Sequence, residues 1–145
     1  MTDSTAVETG NKKPAVLFVC SKNGGKSQLA AGLMSDIAAG SVDVHSAGTK
    51  PGNELNPLAV ESLGELGIDI NGEHPKPVTD SVVDAVDVVV ILGSEAKLEP
   101  LEGIRFERWE IDEPSERGIE GMERMRLVRE DIKSRVERLY AAFAD

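Results

Sequence analysis

Ala15-Val16-Leu17-Phe18-Val19-Cys20, followed by Ser21-Lys22-Asn23-Gly24-Gly25 and then Lys26-Ser27, is the stretch that decides the fold. The first six residues form a continuous apolar run of strand length, the pattern of a parallel strand buried on both faces. A short glycine-containing loop comes next. Beyond it Leu29, Leu33 and Ile37 recur every four residues, which predicts a helix from about Lys26 to Ala39 with these three on its buried face, stopped by Gly40. The unit is therefore strand, tight loop, helix.

The rest of the chain repeats that alternation. Val42 to Ala47 reads as a second short strand ended by Gly48. Pro57 is well placed as the first residue of a helix whose buried face is Leu58, Leu63 and Leu66 and whose cap is Gly67. Residues 71–78, with Gly72, Pro75 and Pro77, read as a loop. Val86 to Leu92 is rich in valine and reads as the third strand, and Ile104 to Ile111 as the fourth. Ile119, Met122, Met125, Val128, Ile132, Val136, Leu139 and Phe143 step by three or four, which predicts one long amphipathic C-terminal helix. Strands alternating with helices predict an α/β fold, a four-stranded parallel sheet with helices on both faces and right-handed crossovers. In such sheets ligands bind at the carboxyl ends of the strands, which is where Cys20 falls. Residues 1–13 are polar and are expected to form a disordered leader; residues 14–145 are expected to form a single domain.

Composition narrows the function classes. The chain has 145 residues, 40% of them apolar, enough for one ordinary core. A formal net charge of −10 repels nucleic acid and anionic membrane, so no nucleic-acid or membrane partner is expected. It also means that any anion site must be local, built from backbone dipoles and a few cations. No apolar run approaches the roughly 18 residues of a membrane span, and the N-terminus lacks a signal-peptide pattern, so a cytoplasmic location is expected. There is one cysteine, which excludes an internal disulfide and a cysteine-based zinc site; no metal and no tightly bound cofactor are expected.

Cys20 to Ser27 reads C-S-K-N-G-G-K-S between strand and helix. The glycines let successive N–H groups turn toward one point, and the helix N-terminus adds its donors and the positive end of its dipole. Ser21, Lys22, Asn23, Gly24, Gly25 and Lys26 thus form a candidate oxyanion cradle with Cys20 at its floor and the Lys26 charge at its edge. The same surroundings favour a thiolate, to which Ser27 could donate a further hydrogen bond. A thiolate beneath a tetrahedral anion is placed for in-line attack on the central atom. A buried core cysteine is the bland alternative, and the glycines and lysine argue against it. A nucleotide-binding loop of the G-x-x-x-x-G-K-[ST] type fits only the end of the segment, because Cys20 stands in place of its first glycine.

Val16 to Cys20, followed by Asn23, two small residues, a cation and Ser27, resembles the low-molecular-weight protein tyrosine phosphatase family, whose loop is C-x5-R-[ST]. His45-Ser46-Ala47-Gly48-Thr49 is similar to that family's S-A-G-T segment, and Trp109-Glu110-Ile111-Asp112-Glu113-Pro114 to the segment carrying its acid–proline pair. The resemblance runs from Pro14 onward and is nearest to the arsenate-reducing branch, in particular its single-cysteine members. It implies a flavodoxin-like three-layer sandwich. It also implies arsenate as substrate, mycothiol as co-substrate and mycoredoxin as protein partner, hence an arsenate–mycothiol transferase.

Three departures from the family pattern bear on the chemistry. Lys26 replaces the family's arginine and gives a point charge in place of a planar bidentate grip. Gly25 and Gly93 stand where relatives carry further cysteines; Gly93 takes the position of the resolving cysteine of the thioredoxin-coupled reductases. The residue directly before the proline is Glu113, with Asp112 one earlier. On the resemblance, Cys20 is the nucleophile, Lys26 and the loop amides hold the oxygens, and Glu113 is the general acid with Asp112 as fallback. His45 and His74 read as structural or surface residues, and Lys50 and Lys76 as loop charges that could draw in an anion. Two other functions stay open: a tyrosine phosphatase, disfavoured by an aromatic content of 3%, and a catalytically silent oxyanion binder.

Overall fold

A computed structural model describes residues 13–144. Of the expected leader only Lys13, which is exposed, lies among the described residues. Strand β1 (Ala15–Cys20) is buried at all six positions, because it is central: β2 (Asp43–Gly48) and β3 (Val88–Leu92) flank it, and β4 (Arg105–Trp109) pairs with β3. The order is β2-β1-β3-β4 and every pairing is parallel. The edge strands are the less apolar ones, as half-covered strands should be.

The period-two alternation of the strands divides the core. Val16, Phe18, Val88, Val90, Leu92 and Trp109 pack under α1 (Lys26–Ala38), α2 (Pro57–Gly64) and α4 (Gly121–Ala144). Leu17, Val19, Val89 and Ile91 pack on the other face under Val83 of the short helix α3 (Asp80–Asp84), with Val86 and Ala96. The fold is the expected parallel sheet with helices on both faces, although among the described residues the second face carries a single short helix among loops.

The departures have local causes. Ile37 is 37% exposed, not buried: each four-residue step overshoots a helical turn by about 40°, so the Leu29–Leu33 stripe has rotated out of the core by Ile37. Helix α1 ends at Ala38, and Ala39 itself takes the left-handed conformation ahead of Gly40. Leu66 is 39% exposed because α2 closes at Gly64 and Leu66 lies in the turn beyond it. Asn56 caps α2 by accepting from the Leu58 N–H at 2.9 Å. Helix α3, too short to show a periodicity, was not foreseen; the Thr79 hydroxyl caps it by accepting from the Val82 N–H at 3.2 Å. Val86 and Asp87 precede β3, and the Asp87 carboxylate accepts the Ala15 N–H at 2.8 Å. Ile104 and Ile111 flank β4, and Ile119 lies in the turn ahead of α4.

Candidate active site

The strand that buries Val16 and Phe18 beneath α1 carries Cys20 on the same alternating face, so its side chain meets the start of that helix; Cys20 is 7% exposed. Residues 21–25 then bend around it. The bend needs a left-handed residue, and Asn23 takes it with φ of 56°, a conformation asparagine tolerates better than most side chains.

The loop carbonyls all face outward. The N–H groups of Thr49, Lys50, Gly52 and Asn56 bind the oxygens of Cys20, Ser21, Lys22 and Gly24 at 2.8–3.1 Å. Gln28 Nε2 takes the Asn23 oxygen at 3.1 Å, and the Leu29 N–H takes that of Gly25 at 2.9 Å. With its carbonyls fixed on the outside, the loop turns its N–H groups inward, and that of Asn23 donates to Cys20 Sγ at 3.2 Å. The arrangement tolerates no bulk behind it. A Cβ on Gly48 would lie 2.6 Å from the Ser21 oxygen and 3.0 Å from the Asn23 nitrogen.

A relay of three side chains determines which way the hydrogens run. The Lys76 N–H can only donate, and its acceptor at 3.0 Å is Asn23 Oδ1. That leaves Asn23 Nδ2 to donate to Ser27 Oγ at 2.7 Å. Ser27 Oγ, already accepting from Asn23, keeps its own proton free to donate to a Cys20 thiolate, whose Sγ lies 2.9 Å away. The sulfur thus lies within hydrogen-bond reach of two groups able to donate to it, the Asn23 N–H and the Ser27 hydroxyl. Asn23 and Ser27 are fully buried, so the network is shielded from competing water.

Above the sulfur opens a cavity of about 760 Å³ lined by Cys20, Ser21, Lys22, Gly25 and Lys26 from the loop, Gly93 to Glu95 after β3, Glu110 to Glu113 after β4, and Arg124 of α4. The Glu113 carboxylate is gripped by Arg124 through Nε at 2.6 Å and through the second guanidinium nitrogen at 2.8 Å. Ser115 Oγ donates to it at 2.8 Å and Lys26 Nζ stands 3.9 Å away. The Arg124 hydrogen bonds, ahead of the other contacts, hold its carboxyl down to about 2. Asp112 is exposed and paired with Arg117 at 2.8 and 3.1 Å, which lowers its carboxyl below the ordinary range.

The structure thus gathers Cys20, Ser21, Lys22, Gly25, Lys26, Asp112 and Glu113 around one cavity, with Asn23 and Ser27 just beneath it. Gly24 serves from outside: its oxygen anchors Asn56, and a Cβ there would meet the Glu54 oxygen at 3.0 Å. His45, near Asp43, and the exposed His74 do not line the cavity. Lys50 and Lys76 contribute backbone N–H groups to the loop frame. Arg124 was missed by sequence reasoning, since a polar position on an amphipathic helix gives no sign of its aim. Among the described residues no group of three His, Cys, Asp or Glu side chains is placed to hold a metal ion.

The sequence model of the low molecular weight phosphotyrosine protein phosphatases matches residues 15–145. The chain belongs to this family. Family members similar to it include the glutaredoxin arsenate reductase of Synechocystis, 35% identical over 130 residues that make up 87% of this chain and 95% of that protein. A thioredoxin-dependent arsenate reductase of Corynebacterium glutamicum superimposes with a TM-score of 0.76 at 33% identity, over 97% of this chain and 66% of that one. An arsenate reductase solved in its phosphate-binding state gives a TM-score of 0.77 at 34% identity, over 90% and 98% of the two chains. The family fold accounts for the position of the cleft at the carboxyl ends of β1, β3 and β4. No helix among the described residues is long and apolar enough to cross a membrane.

Proposed function

We propose that this chain is an arsenate reductase of the cytoplasm that hands arsenic to mycothiol, with mycoredoxin completing the reduction. The observation that carries this reading is Cys20 Sγ, which accepts from the Asn23 N–H and Ser27 Oγ at the floor of a cradle whose carbonyls all point away.

The Cys20 thiolate attacks arsenic, forming an S–As bond as an As–O bond breaks. The departing oxygen takes a proton from Glu113, or from Asp112 as fallback, and leaves as water. Loop amides from Ser21 to Lys26 and the Lys26 charge offset the charge that develops on the remaining oxygens. No oxidation has yet occurred. A resolving thiol within the chain is excluded, because Cys20 is the sole cysteine. Gly93, where the resemblance would place a resolving cysteine, has a φ of 88°, a conformation that favours glycine over a side chain. An outside thiol must therefore attack the arsenic of the adduct, with Cys20 leaving as thiolate; on the family resemblance that thiol is mycothiol. Mycoredoxin then supplies the electrons that release arsenite, its own thiol being oxidised to a mixed disulfide with mycothiol. The dimensions of the cavity are in keeping with a co-substrate larger than the ion.

The lining also favours a bare oxyanion over an aryl phosphate. None of the five aromatic residues lines the cleft, and Trp109 is buried against Phe18 with ring centroids 5.9 Å apart. A phosphotyrosine ring would find no aromatic wall there.

The test is arsenite release by the purified chain with arsenate, mycothiol and mycoredoxin, beside parallel arms with glutathione plus glutaredoxin and with thioredoxin. Turnover that requires mycothiol and disappears in Cys20→Ser is the expected result. Turnover only with glutaredoxin or thioredoxin would replace the partner. Hydrolysis of p-nitrophenyl phosphate without arsenite would replace the reaction.

A further inference from the structure

Lys26 is a point charge that cannot grip two oxygens of an oxyanion in one plane. The structure nonetheless puts a planar fork in the cleft. Arg124 lines the same cavity as Cys20 and Lys26, and its guanidinium is occupied by Glu113 through two nitrogens, at 2.6 and 2.8 Å. Lys26 Nζ approaches the same carboxylate, 3.9 Å from Oε1. Glu113 thus occupies both cations as an anion of the chain's own. Its side chain is 28% exposed and that of Arg124 25%, so neither is locked in the core.

We propose that Arg124 is a substrate-binding residue of the cleft: an entering tetrahedral oxyanion takes over the guanidinium fork from Glu113, and Glu113, released, becomes the group that carries the proton. The inference rests on the oxyanion-thiolate reading of the site and assigns it a second cation from α4. An oxyanion offers the guanidinium the same paired-oxygen geometry as a carboxylate and a larger charge, so the exchange conserves the bidentate bond. The exchange also resolves a conflict in the resting site. A carboxylate clamped by two cations holds no proton to give at neutral pH; with Arg124 drawn off and a negative ion alongside, protonation of Glu113 becomes favourable. Lys26 stays as the charge shared between the ion and Glu113.

The test is calorimetric binding of inorganic phosphate to the reduced full chain and to Arg124→Gln, Arg124→Lys, Glu113→Gln and the Glu113→Gln/Arg124→Gln double variant. Thermal melting of each checks the fold. Arg124→Gln should weaken phosphate binding about tenfold, the worth of one charge-assisted pair, and Arg124→Lys should recover part of the loss. Glu113→Gln, which frees both cations, should bind phosphate more tightly than the parent. The double variant decides the matter. If Arg124 touches the ion, its loss still weakens binding when Glu113 is already neutral. If Arg124 acts only as a structural partner of Glu113, its loss there changes nothing, and the inference is overturned. A parent chain that binds no phosphate at all would sink the oxyanion reading itself, whereas binding lost in Lys26→Gln but indifferent to Arg124 in both backgrounds would sink this inference alone.

Discussion

Ser27 is the second residue of α1, fully buried, with its oxygen accepting a hydrogen bond from Asn23 and its hydroxyl within donating reach of the Cys20 sulfur. Removing the hydroxyl leaves the sulfur with a single donor. Ser27→Ala is expected to slow alkylation of Cys20 by iodoacetamide at neutral pH about three- to tenfold, the worth of one hydrogen bond to a charged group, with little change in far-UV circular dichroism. An unchanged alkylation rate would mean that Asn23 and the loop dipoles suffice. Cys20, Lys26 and Ser27 were legible in the sequence because their spacing between a buried strand and a helix has few other uses. Asn23 was legible only as part of the cradle. Its task in setting the direction of the hydrogens depends on the Lys76 N–H, which is 53 residues away and reaches it through tertiary structure alone. Arg124 was hidden for a similar reason, since its significance lies in Glu113 on a different element.

The segment from 49 to 56 runs beside the loop and binds it through four N–H groups, and its approach depends on Gly48 having no side chain. Gly48→Ala would force a Cβ to within 2.6 Å of the Ser21 oxygen, which is backbone and cannot swing aside. The expected cost is about 1–3 kcal/mol, as for other overpacked sites, read by urea denaturation. A loss of phosphate affinity should accompany it, because the displaced atoms belong to the cradle. Full stability with full affinity would show that the loop has slack. The strands were the most legible elements, since β1 and β3 are central and carry no polar residue until Cys20. The helices were legible in position but less so in facing. Ile37 and Leu66 are leucine-like residues at plausible spacing that end up exposed, one by drift around the helix and the other by falling past its end.

Across the molecule, α2 and α4 are joined at one point by a carboxylate. Glu65, just beyond α2, accepts from Arg126 at 2.6 Å and from Arg129 at 2.8 Å, and the Arg126 hydrogen bond, with that of Arg129, holds its carboxyl down to about 2 from an ordinary 4.5. A depressed carboxyl stabilises the folded state at pH values above 4.5, and this contribution is lost as pH falls toward 2, where the folded form also takes up its proton. Glu65→Gln should therefore melt below the parent at pH 7, and the gap should close as pH is lowered through that window. A gap that stays constant with pH would assign the effect to packing. The sheet as a whole was legible because alternating strands and helices leave few topologies. The strand order and the thin covering of one face were not, since nothing along the chain marks which edge a strand joins. The outward-facing carbonyls of residues 20–25 carry a last consequence. An ion as small as arsenate makes too few contacts to order a loop at about 1–2 kcal/mol per residue. Here the neighbouring segment has already done that ordering, so the mould is cast before the ion arrives. Amide hydrogen exchange should record it as two populations: Thr49, Lys50, Gly52, Asn56 and the sulfur-bound amide of Asn23 protected with or without ligand, and the other inward amides of the cradle slowed only when an anion fills it.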